Sequence, residues 1–109
     1  MRQKHGITQA EQLNLFARDV CNELDRRIKD TNKPTYTFWV AFQTPPLISP
    51  VDLVEVIKSW RKDVLDWKGS RFGMQAYIMV GNHEPDQLMW ENWRKATRNI
   101  PTDSVGENS

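Results

Sequence analysis

The chain has 109 residues, 39% apolar and 27% charged, and a formal net charge of +1. That is the length of one domain and the composition of an ordinary folded one, which excludes a disordered chain and leaves no room for two domains. Fifteen Lys and Arg against fourteen Asp and Glu create no strong field toward phosphate backbone or anionic membrane, so gripping nucleic acid is not expected as the main activity unless a local basic patch forms.

Cys21 is the single cysteine, which excludes an internal disulfide and points to a reducing compartment. No apolar run approaches the length of a membrane span, and "MRQKHGITQ" lacks the apolar core of a signal peptide. A cytoplasmic protein is expected.

Thr8 and Glu11 have capping-box spacing and open the first predicted helix. Leu13, Ala17, Val20, Leu24 and Ile28 follow at spacings of three and four, with Phe16 and Cys21 widening the stripe. Glu23–Arg27 and Asp25–Lys29 are favourably ordered pairs on the other face, and the helix is expected to end near Asp30. "TYTFWVAFQ" is β-branched and aromatic and predicts a strand, with Tyr36, Phe38, Val40 and Phe42 on one face and Trp39 and Ala41 on the other. "TPPLISP" is a loop, because its prolines remove donors and restrict the residues before them.

Ser49, Pro50 and Asp52 supply a cap, a first-turn proline and a carboxylate for a second helix. Val54, Ile57, Trp60, Val64 and Trp67 extend it at helical spacing to a stop at Gly69. "RFGMQAYIMV" predicts the second strand, with Phe72, Met74, Ala76, Ile78 and Val80 on one face. Pro85 and Asp86 begin a third helix carrying Leu88, Met89, Trp93 and Ala96. The expected fold is α+β, one globular unit over residues 1–100 with a mobile tail at 101–109. Its order is α-β-α-β-α, with a short two-stranded sheet packed by three helices. The helix between the strands implies a parallel pair with a right-handed crossover. So thin a sheet calls for a missed third strand, another segment, or a homodimer that completes it.

Gly81-Asn82-His83-Glu84 follows a strand and resembles one metal-binding block of the calcineurin-like metallophosphoesterases. The resemblance implies a metal-ligating Asn82 and a His83 beside the substrate phosphate of a two-metal centre. It covers four residues only: the companion Asp-x-His and Gly-Asp blocks do not occur, and the other histidine is His5. We read the block as a strand, a turn tolerant of positive φ at Gly81 and Asn82, and an acidic helix start at Glu84 and Asp86. A replication endonuclease of the His-hydrophobic-His type needs a histidine pair that is also absent. Cys21, His5 and His83 are too dispersed for zinc, and the five glycines form no phosphate loop. Cys21 is expected to be a small core residue. Asp63 and Asp66, one helical turn apart beside Arg61, Lys62 and Lys68, are expected on a solvated face. No catalytic residue, metal or cofactor is therefore expected.

The expected function is non-enzymatic protein binding, of the kind common among small phage and mobile-element products that modulate host machinery. Trp39 and Trp90 are the tryptophans least needed inside and, with His83 at its turn, are the candidate contacts. Small DNA- or RNA-binding protein is the alternative, using basic helix ends: Arg26, Arg27 and Lys29; Arg61, Lys62, Lys68 and Arg71; and Arg94, Lys95 and Arg98.

Overall fold

The computed structural model describes residues 8–70 and 73–100, so His5, Arg71, Phe72 and the expected tail at 101–109 lie outside the described residues. Helix α1 spans Gln9–Thr31 and starts on its capping box: Thr8 Oγ1 accepts from the Glu11 N–H at 3.1 Å, and Glu11 accepts the Thr8 N–H at 2.8 Å. Asn32, left-handed at φ 52°, ends it. Ala17, Val20 and Leu24 of the expected stripe are buried. Strand β1 is Thr37–Gln43, and helix α2, Pro50–Trp60, is capped by Ser49, whose hydroxyl accepts from the Asp52 N–H.

The stretch expected to continue α2 to Gly69 instead turns back on itself. Strand β2 is Val64–Ser70, strand β3 is Gln75–Gly81, and helix α3 is Gln87–Thr97. The sheet has three strands in the order β1-β3-β2, both pairs antiparallel. The two-stranded parallel sheet is thus corrected, and the chain itself supplies the missing strand. A β-bulge hid that strand. The register slips between Val64 and Asp66, so Val64 lies opposite Val80 while Trp67 lies opposite Ile78, on the same face. Residues three apart then share a face within a strand, which is the spacing of a helix. Trp60, expected on the buried stripe, ends α2 with 48% of its surface exposed.

Helices cover both faces of the sheet. Val40, Trp67, Ala76, Ile78 and Val80 meet Ala17, Val20 and Leu24 of α1 and Leu53, Val54 and Ile57 of α2 in one core, with Phe38, Phe42 and Val64 packed at its margin. The opposite face carries Trp39, Asp66, Lys68, Tyr77 and Met79, and α3 lays Trp93 on it, 5.7 Å from Trp39 and 6.3 Å from Tyr77 between ring centroids. Among the described residues, no helix is long and apolar enough to cross a membrane.

The turn after β3 does not use the positive φ that its residues tolerate. Neither Gly81 nor Asn82 has positive φ; among the described non-glycine residues, Asn32 and Met74 do. Gly81 is needed for room, because a Cβ there would lie 2.6 Å from Thr37 Oγ1 and 2.6 Å from the Tyr36 carbonyl. Asn82 ties the turn to the start of β1: its Oδ1 accepts the Tyr36 N–H at 2.9 Å and its Nδ2 donates to the Pro34 carbonyl at 3.0 Å. The Thr37 hydroxyl donates to the His83 carbonyl across the same joint. Gly81→Ala should therefore lower stability by about 1–3 kcal/mol through overpacking, measured by urea denaturation. An unchanged midpoint would show that the joint opens without cost.

Candidate binding surfaces

The three basic clusters meet different fates. Arg26 lies 2.5 Å from Glu23 and 3.6 Å from Asp30, and Arg27 lies 3.5 Å from Glu23, so the α1 cluster is largely neutralised by its own helix. Lys29 is exposed beside it. The second cluster is split by the turn from α2 to β2. Arg61 folds inward, Lys62 stays exposed, and Lys68 projects from β2 toward α3.

Arg61 is the pivot of a polar network at that turn. Its Nε and one terminal nitrogen donate to the two Asp63 oxygens at 2.9 and 2.8 Å, and the other terminal nitrogen reaches Asp25 of α1 at 2.7 Å. The Tyr36 hydroxyl donates to Asp63 at 2.8 Å, bringing the residue just before β1 into the same network. Asp25 therefore serves Arg61, where pairing with Lys29 was expected, and Asp63 is fully engaged where a solvated face was expected. Burial pushes the Asp63 carboxyl up, but the bonds from Arg61 and Tyr36 outweigh it and hold it below 3.8. Burial raises the Cys21 thiol, which packs half-buried against the core, and the Arg61 charge opposes that rise.

The third cluster converges with Lys68. A cleft of about 550 Å³ between β2 and α3 is lined by Lys68, Arg94 and Arg98 together with Trp90 and Trp93. The Trp93 Nε1–H donates to Asp66 at 2.7 Å in its wall. Trp90 is half-buried, and the Arg94 guanidinium stands 6.0 Å from its ring centroid. Lys95 is exposed on the same helix. Periodicity does not reveal this site, because helical spacing carries Lys68 on α2, which ends at Trp60.

Trp39 is half-buried against Tyr77 and Trp93, so much of its ring packs on the sheet. Trp60 and Leu88, the latter 65% exposed on α3, are surface residues although helical spacing sets both on apolar stripes. His83 is exposed and lines a shallow cleft of about 270 Å³ with Lys33, Thr35 and Glu84. Among the described residues, no group of three or more His, Cys, Asp or Glu could hold a metal ion. Asn82, which the metallophosphoesterase resemblance would make a ligand, spends its side chain on the backbone of residues 34 and 36.

The outer edge of β1 is a further surface. The Asn82 N–H donates to the Tyr36 carbonyl and the Thr44 N–H to the Met74 carbonyl, so the even-numbered residues of β1 bond inward to β3. Thr37, Trp39, Ala41 and Gln43 therefore turn their backbone N–H and C=O groups outward. Among the described residues, the backbone groups of Trp39, Ala41 and Gln43 meet no partner there. No family model matches the chain, and no curated protein or solved structure does.

Asp63→Asn should cost about 1–2 kcal/mol at neutral pH, a modest value for charge-assisted bonds because the network is partly solvated. The native carboxylate is depressed, so its contribution is complete above 3.8 and disappears as pH falls through its lower folded value. Thermal melts from neutral to acid pH should show the two proteins converging below that range; a constant difference would place the stabilisation elsewhere.

Proposed function

We propose that this protein is a non-enzymatic protein-binding module that docks an extended segment of its partner along β1. The observation that carries this reading is the open edge: "TFWVAFQ" contains no charge, proline or bulge, and its outward backbone groups stand ready for another strand. The opposite edge is blunted. β2 has the bulge, carries Asp66 and Lys68, and presses Gly69 against α2, where a Cβ would lie 2.9 Å from the Pro50 backbone.

A second copy of the chain fits the edge well. Antiparallel pairing about a two-fold axis at Val40 sets Thr37 against the partner's Gln43 and Trp39 against the partner's Ala41, large beside small. On the core side it sets Phe38 against the partner's Phe42. Half-buried Phe38 and Phe42 would gain cover, and no like charges meet. Trp39, on the outward register, becomes the aromatic contact of the interface.

Ala41→Pro removes an outward N–H that the sheet does not use, a place where an edge strand tolerates proline. Light scattering at tens of micromolar should give a dimer for the native chain and a monomer for the folded variant. Affinity capture from a native host should likewise lose any other strand-adding partner with the variant. A native chain that is monomeric and captures nothing would remove the reading, as would a variant that binds like the native protein.

A further inference from the structure

The cleft between β2 and α3 is lined by three cations, Lys68, Arg94 and Arg98, beside the Asp66 carboxylate that accepts from Trp93. Among the described residues, Lys68, Arg94 and Arg98 form no ion pair, whereas Arg26, Arg27 and Arg61 are all paired. Favourable placement near the α3 C-terminus accounts for Arg94 and Arg98 alone. It does not account for Lys68, which arrives from a strand on the other side of the cleft. Trp90, Arg94 and Arg98 lie four residues apart and form one row along α3 and its C-cap, about 12 Å long at 1.5 Å per residue. The row has a ring at one end and charge along the rest.

An aromatic plane flanked by cations is the recognition chemistry of single-stranded nucleic acid, in which bases stack and phosphates are neutralised in sequence. Trp90 is off the buried stripe of α3 and half-exposed to the cleft, and Arg94 beside its ring puts a cation next to the stacking platform. Duplex is a poorer fit, because its bases offer no free faces to Trp90. We propose that this cleft binds single-stranded nucleic acid without strong sequence preference, Lys68, Arg94 and Arg98 taking phosphates and Trp90 stacking a base. The site is separate from the β1 edge and stands or falls independently of it.

Fluorescence anisotropy of the full chain with a labelled oligothymidylate of about 12 nucleotides tests this, repeated from about 50 to about 200 mM salt. Three phosphate contacts on a single strand predict a log–log salt slope of about −2, or about 20-fold weaker binding across that range. Lys68→Gln and Arg98→Gln, on exposed or half-exposed side chains, should each reduce the slope by about 0.7. Trp90→Ala should weaken binding roughly 5- to 150-fold while leaving the slope unchanged. If Trp90→Ala fails to fold, the two charge variants still decide. Arg26→Gln combined with Arg27→Gln should bind as the native protein does. The proposal is overturned by absence of binding at low salt, by a flat salt dependence, or by native affinity in Lys68→Gln combined with Arg98→Gln. It is equally overturned if the Arg26 and Arg27 variant loses as much affinity. Competition by polyglutamate as effective as by unlabelled oligonucleotide would reassign the cleft to an acidic protein segment and also overturn it.

Discussion

Everything in this fold is arranged around a strand that must be apolar on both sides. β3 lies between β1 and β2, so all its backbone groups are taken up in two antiparallel ladders. Ala76, Ile78 and Val80 are buried on one face and Met79 on the other. Burying both faces requires helices on both, and the chain supplies α1 and α2 to one and α3 to the other. The same position leaves two edge strands, and the chain treats them unequally: one is bulged and charged, the other plain. The open edge of β1 and the cleft beside β2 both follow from where β3 sits.

The second organising interaction is the Arg61 network. It joins α1 through Asp25, the α2–β2 turn through Asp63, and the entry to β1 through Tyr36. A cation with that many partners is a structural element, and its charge is spent within the molecule. This separates two kinds of basic residue that look alike in the chain. Arg61 and Lys68 belong to one stretch, yet one anchors three segments and the other lines a cleft. Net charge near zero thus coexists with a local basic surface, because Glu23, Asp30, Asp25 and Asp63 are taken up by Arg26, Arg27 and Arg61 on the side of α1 and the α2–β2 turn.

Helix starts were legible residue by residue. Thr8 with Glu11, Ser49 with Pro50, and Asp86 all act through short-range bonds that need only neighbours in sequence, and each occurs as read. The core faces of β1 and β3 were legible too, since alternation in an unbroken strand is local. β2 was illegible for a local reason of a different kind: the bulge converts a period of two into a spacing of three, and helix and strand become indistinguishable by pattern. The tolerance of positive φ read at Gly81 is not what the fold uses: a glycine can answer to a neighbour's bulk as well as to its own dihedral, and that neighbour is Thr37, far away in sequence.

By itself, then, the sequence determined the three helix caps, the apolar faces of α1, β1 and β3, and the want of the linked motifs a two-metal phosphoesterase uses. Each of these depends on residues within a turn or a strand of one another, or on counting. Tertiary structure alone decided strand order, which tryptophans stand outside, and which of the described basic residues are drawn into ion pairs. Those depend on which distant segments meet, and the meeting is governed by a central strand whose two partners cannot be chosen from local pattern.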